Sequence, residues 1–145
     1  MIRIENILVP TDFSRHAEYA LEYATTVAKP LDARIHVVHI LEPVQYAAGF
    51  SVSVDEIEER IWDEAEAKLD SLSNELERDG FRVKVCTRKG FPEDEIIAYV
   101  EQNAIDMVFM GTHGWRGMSK LLFGSTTDGV LRHAQCAVVS VRRPQ

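Results

Sequence analysis

The strongest constraint on the fold is an alternation of short apolar runs with stretches of helical periodicity, kept up along the whole chain. Residues 4–9 are a run of strand type that stops at Pro10, and Ala17, Ala20, Leu21, Ala24, Val27 and Ala28 then recur at helical spacing until Pro30. A second strand is expected over 34–40. The tetrad Ser53-Val54-Asp55-Glu56 has the form of a capping box opening a long helix that Gly80 closes. Within it Ile57, Ile61, Ala65, Leu69, Leu72 and Leu76 form one apolar stripe, and Asp and Glu fill the opposite face. A third strand is expected over 81–86, a helix starting with Pro92 and running to about Gln102, a fourth strand over 106–110, a helix over 125–133 and a fifth strand over 137–141.

Five strands separated by four helices specify an α/β sandwich of three layers with a mostly parallel sheet, because parallel neighbours need crossover connections and these helices supply them. At 145 residues and 46% hydrophobic content, one domain over 1–145 accounts for the chain. In such sheets ligands bind beyond the carboxyl ends of the strands, where the winding reverses. The loops after Val9, Ile40 and Met110 are therefore the candidates for a binding crevice. The stretch 41–52 has no clear period and reads either as a flap over that crevice or as a passive surface loop.

Charge and composition narrow the function. A net charge of −7 argues against general affinity for nucleic acid or anionic lipid. No apolar stretch reaches the roughly 18 residues of a membrane span, and no leader precedes the first strand, so a cytoplasmic protein is expected. Cys86 and Cys136 lie in β-type runs without a CxxC partner and read as small buried hydrophobes. His36 and His39 are three apart on a strand and so point to opposite faces, which argues against a metal-binding pair. No hydrolytic triad or zinc motif is present.

The chemistry concentrates in the last third. Met110-Gly111-Thr112-His113-Gly114 is followed, after a nine-residue gap, by Gly124-Ser125-Thr126. A strand ending in glycine and a helix opening after glycine can together form a split phosphate cradle: backbone amides approach the anion closely, and the helix start offers unpaired N–H groups. The same glycines also fit ordinary punctuation at element ends. Charge favours the cradle, since residues 111–145 carry +4 and residues 1–110 carry −11. ATP is the first ligand to expect. Ser125 and Thr126 offer hydroxyls to phosphate, and His113 offers a ring donor.

Asp12 follows the first strand, where a carboxylate can accept from a ribose hydroxyl or help hold a hydrated Mg²⁺; as a turn or N-cap residue it would do neither. The one-piece G-x-x-x-x-G-K-[ST] loop and the G-x-G-x-x-G fingerprint are both absent, so rapid hydrolysis is not implied. Trp115, Met118, Leu121, Leu122 and Phe123 make the segment between the glycine clusters apolar, suiting it to packing or to a partner. The final strand is a plausible sheet edge, and a twofold dimer through it is expected.

Taken together, Ile7-Leu8-Val9-Pro10-Thr11-Asp12-Phe13-Ser14, Val37-Val38-His39-Ile40, Gly111-Thr112-His113-Gly114 and Gly124-Ser125-Thr126 resemble the universal stress protein family. Its ATP-binding branch carries G-x₂-G-x₉-G-[ST], met here by Gly111, Gly114, Gly124 and Ser125. The resemblance implies a Rossmann-like adenine nucleotide-binding fold with strand order 3-2-1-4-5 and dimerisation through the last strand. It implies ATP at the ends of strands one and four, with Thr11 and Asp12 near ribose and phosphate and Ile40 at the adenine. The glycine loop would bind ribose and phosphates, Pro10 and Met110 would flank the ligand, and Thr112, His113 and Thr126 would complete the set. A regulatory module read by a protein partner is the function expected. A slow ATPase or autokinase, with Ser125, Thr126 or a flap serine as acceptor, is the alternative, and a structural adaptor with a vestigial loop is the third reading.

Overall fold

The computed structural model describes residues 1–43, 53–112 and 125–144. Its elements run β1 (Asn6–Thr11), α1 (Arg15–Leu31), β2 (Arg34–Leu41), α2 (Val54–Arg78), β3 (Val83–Lys89), α3 (Pro92–Gln102), β4 (Met107–Gly111), α4 (Ser125–His133) and β5 (Ala137–Val141). The strands form one sheet in the order β3-β2-β1-β4-β5, every neighbouring pair parallel. This is the three-layer α/β sandwich and strand order anticipated above.

Strand parity sorts the core into two layers. Ile7, Val9, Ile35, Val37 and Phe109 face α1 and α2, where Ala20, Ala24, Ala28, Leu69 and Leu76 meet them. Leu8, Val38, Val108 and Met110 face α3 and α4, against Ile96, Tyr99, Val100 and Val130. Ile7, Leu8 and Val9 are all fully buried, and each contributes about 2 kcal/mol relative to an exposed side chain.

A sheet that is apolar on both faces lacks the polarity contrast that usually fixes register. Here polar anchors supply it. The buried His36 ring lies 2.9 Å from the Tyr99 hydroxyl at Nδ1 and 3.2 Å from Asn6 Oδ1 at Nε2. Since Asn6 Oδ1 can only accept, Nε2–H donates to it, and Nδ1 accepts from the Tyr99 O–H. On the other side of β1, Asp106 Oδ2 accepts from the N–H groups of Glu5 and Asn6, at 2.8 and 2.9 Å.

Several expected boundaries move. The first strand begins at Asn6 and continues through Pro10 to Thr11. The Asn6 carbonyl accepts from Asp106 of the β4 side and the Glu5 carbonyl from Arg34 of the β2 side, so alternation turns the backbone of Leu8 and Pro10 toward β4. Pro10 therefore lacks its N–H on the side where pairing with β4 has already ended. Pro30 lies inside α1, which ends one residue later because the proline removes only a bond of the last turn. The third strand begins at Val83 because Phe81 still belongs to the end of α2: Phe81 N–H donates to Leu76 O and Gly80 N–H to Glu77 O, with Gly80 at φ +90°.

The expected N-cap is present at Ser53 and α1 is capped by Ser14, their hydroxyls accepting from Glu56 N–H and Ala17 N–H, both at 3.2 Å. Cys86 and Cys136 are free and only partly buried, packing at the margin of the α3 layer rather than within it.

Candidate functional site

The candidate site lies where the sheet stops pairing. β1 and β4 are in register only at Ile7 with Met107 and Leu8 with Val108. β1 stays paired with β2 as far as Thr11, and β4 with β5 as far as Gly111. The two central strands thus part at their carboxyl ends while each remains held by its outer neighbour. Pro10 explains the parting, because it has no N–H to continue the ladder toward β4.

By parity, Pro10, Ile40 and Met110 lie on the α3 side of the sheet at this opening, Ile40 and Met110 packing with the Leu8 and Val38 layer. They offer an apolar wall from three strands. Thr11 and Gly111 face the other side. From Thr11 the chain turns tightly: Thr11 Oγ1 accepts from Phe13 N–H at 3.0 Å and Asp12 Oδ1 from Ser14 N–H at 2.9 Å. Phe13 adopts φ +60°. Ser14, and not Asp12, caps α1; Asp12 is half-buried in the turn and uses one carboxylate oxygen to hold it.

Gly111 ends β4 pressed against α1. A Cβ there would stand 2.8 Å from the carbonyl oxygen of His16 and 2.9 Å from its carbonyl carbon. The close approach that this glycine permits is that of the first turn of α1. Thr112 follows, its N–H donating to Val141 O at 3.1 Å, while its buried hydroxyl has no hydrogen-bond partner among the described residues. A buried hydroxyl without a partner costs folding energy and suits a polar ligand.

In α4, Ser125 is exposed, Thr126 half-buried and Thr127 buried. Thr127 Oγ1 donates to Gly111 O at 3.0 Å and so ties the helix start to the end of β4. Thr127 was not among the residues singled out from sequence. Its helical spacing with Val130 and Ala134, both of which pack on the α3 layer, was the available signal. Among the described cations of the basic segment, Arg132 pairs with Asp128 at 3.0 Å, and Arg142 and Arg143 are exposed beyond β5. His113, Gly114 and Gly124 lie outside the described residues, as do Trp115, Arg116, Met118, Lys120, Leu121, Leu122, Phe123 and most of the expected flap.

His36 and His39 occupy opposite faces as their spacing requires, His36 against Tyr99 and His39 against Phe13. Among the described residues no group of three or more His, Cys, Asp or Glu is placed to hold a metal ion. No helix among them is long and apolar enough to cross a membrane.

These features define a doubly wound α/β protein whose strand order reverses between β1 and β4, the place where sheets of this kind bind ligands. The chain belongs to the universal stress protein family, whose model matches residues 3–142. It is 29% identical to universal stress protein MJ0577 of Methanocaldococcus jannaschii, over 98% of this chain and 97% of that one. The solved structure of MJ0577 superposes with a TM-score of 0.86, covering 99% of both chains. Universal stress protein A homolog 1 of Coxiella burnetii is 32% identical, over 94% of this chain and 95% of its own. A universal stress protein from Archaeoglobus fulgidus, solved in complex with dAMP, shares the fold at 21% identity and a TM-score of 0.66, covering 97% and 98% of the two chains.

Proposed function

We propose that this protein binds ATP in the crevice between β1 and β4 and acts as a nucleotide-dependent regulatory module in a stress response. One observation carries the reading: β1 and β4 are paired only as far as Leu8 and Val108, and at the strand ends beyond them Pro10, Ile40 and Met110 are proposed for the apolar side of the site and Thr11, Asp12 and Thr112 for its polar groups. An adenine ring suits the former and a ribose with phosphates the latter. Gly111, Gly114, Gly124, Ser125 and Thr126, with His113, are the proposed phosphate-binding set, with the start of α4 presenting its amides. That the Archaeoglobus fulgidus protein holds dAMP on the same fold supports an adenine nucleotide as ligand class.

Mg²⁺ fits this site as an ion carried by the phosphates, because it keeps several waters and needs only one or two carboxylates. Asp12 is the residue proposed to meet it. Bound there, the ion would neutralise phosphate charge. Conformational readout by a protein partner would then follow from ATP favouring one arrangement of the segment between Gly111 and Gly124. We also propose a homodimer through β5, an edge strand whose Ala137 is exposed and whose Val138 and Val139 are half-buried.

The test is to purify the protein without added nucleotide, denature it, identify the released small molecule by mass spectrometry and weigh the intact chain. Released ATP with an unmodified chain supports the module. Released ADP with a phosphoryl mass gain replaces it with an autokinase. No nucleotide, and no binding on titration with ATP and Mg²⁺, refutes the site.

A further inference from the structure

We propose that Phe13 and His39 are positioning residues for the nucleotide, locking the turn at residues 11–14 before the ligand arrives. The inference rests on the nucleotide reading above and adds to it two side chains that need not touch the ligand.

Phe13 adopts φ +60°, a left-handed conformation disfavoured for a residue with a Cβ. A glycine would make this turn without strain, so the ring is explained by what it touches. Its centroid lies 4.6 Å from that of His39 on β2, the planes tilted by 36°. Lys68 of α2 places Nζ 5.1 Å from the same centroid. His39 Nδ1 lies 2.7 Å from the carbonyl oxygen of Thr11, which can only accept, so Nδ1–H is the donor. The neighbouring strand thus holds the turn twice, once by the backbone of Thr11 and once by the ring of Phe13. Inside the turn, Thr11 Oγ1 and Asp12 Oδ1 accept from Phe13 N–H and Ser14 N–H.

Strain held in place by surrounding contacts is a known form of preorganisation at binding sites. The residues it fixes here are Thr11 and Asp12, the pair proposed for ribose, phosphate and Mg²⁺. Without the clasp the turn would relax, and its ordering would be charged against binding.

The experiment is calorimetric titration of ATP with Mg²⁺ into the unmodified protein, Phe13→Gly, Phe13→Tyr, Asp12→Ala and the Phe13→Gly/Asp12→Ala double variant. Phe13→Gly should weaken binding by about tenfold, and Phe13→Tyr should restore it. In the Asp12→Ala background, Phe13→Gly should cost clearly less than in the unmodified protein, because part of the ring's effect runs through that residue. If Phe13→Gly does not fold, His39→Asn takes its place, keeping a donor near Thr11 while deleting the stacked ring. Unchanged affinity in the clasp variant, or losses that add fully in the double variant, overturn the proposal. An unmodified protein that binds no ATP instead refutes the nucleotide reading itself.

Discussion

The Thr127 hydroxyl lies 3.0 Å from the carbonyl oxygen of Gly111, so one side chain fastens the first turn of α4 to the last residue of β4. Thr127 is buried, and Thr127→Val keeps its shape while removing that donor. The expected loss is about 1–2 kcal/mol in urea unfolding, accompanied by weaker ATP binding, and Thr127→Ser should recover most of both. A valine variant as stable as the parent would show that the bond holds nothing.

Two glycines should respond differently to alanine. At Gly111 the new methyl group would meet the backbone of His16, 2.8 Å from its oxygen, and a helix backbone cannot step aside as a side chain can. Gly111→Ala should cost about 1–3 kcal/mol by overpacking. At Gly129 the added group would meet the carboxylate of Glu93, which can rotate away at the expense of its contact with His133. The gain in helix propensity, about 1 kcal/mol, offsets that loss, so Gly129→Ala should be near neutral. Equal costs at the two positions would contradict this account of Gly111.

Acid should destabilise the protein through His36. Burial, followed by the charges of Lys84 and Arg34, pulls its pKa from 6.5 down to about 4. The unfolded chain therefore binds the proton first as pH falls, so this contribution to stability is complete above pH 6.5 and is lost on the way down to pH 4. The loss amounts to about 3 kcal/mol by pH 4, and it disappears in His36→Gln. Burial also pushes the Tyr99 hydroxyl up to about 12, so it remains a donor to His36 throughout. Urea midpoints of the two proteins between pH 7 and pH 4 measure the difference. Parallel curves would mean that His36 takes up its proton alike in the folded and the unfolded chain.

The edge strand gives the dimer proposal its own test. Ala137 is exposed on β5, so Ala137→Lys should leave the fold intact while bringing like charges together across a twofold axis. Light scattering should report a dimer for the parent and a monomer for the variant. An unaffected dimer would move the interface elsewhere.

Much of this was legible in the amino-acid order. Periodicity separated the elements, strand parity set His36 and His39 on opposite faces, and the glycine and hydroxyl spacing marked the end of β4 and the start of α4. What escaped depends on neighbours that are distant in sequence. Pro10 looks like a strand terminator until the direction of its missing N–H is known, and that direction places it at the parting from β4. Gly111 invites a ligand role from its motif, yet its Cβ direction is decided by α1. Nothing local marks Phe13 for a left-handed backbone, because the groups that hold it come from β2 and α2.

The central claim is that an adenine nucleotide occupies the opening between β1 and β4, and amide chemical-shift mapping during an ATP titration with Mg²⁺ tests it most directly. The account predicts saturable shifts at Thr11, Asp12, Ile40, Met110, Gly111, Thr112, Ser125 and Thr126, with the amino ends of the strands undisturbed. Shifts clustered away from those residues, or none at saturating ATP, would contradict it.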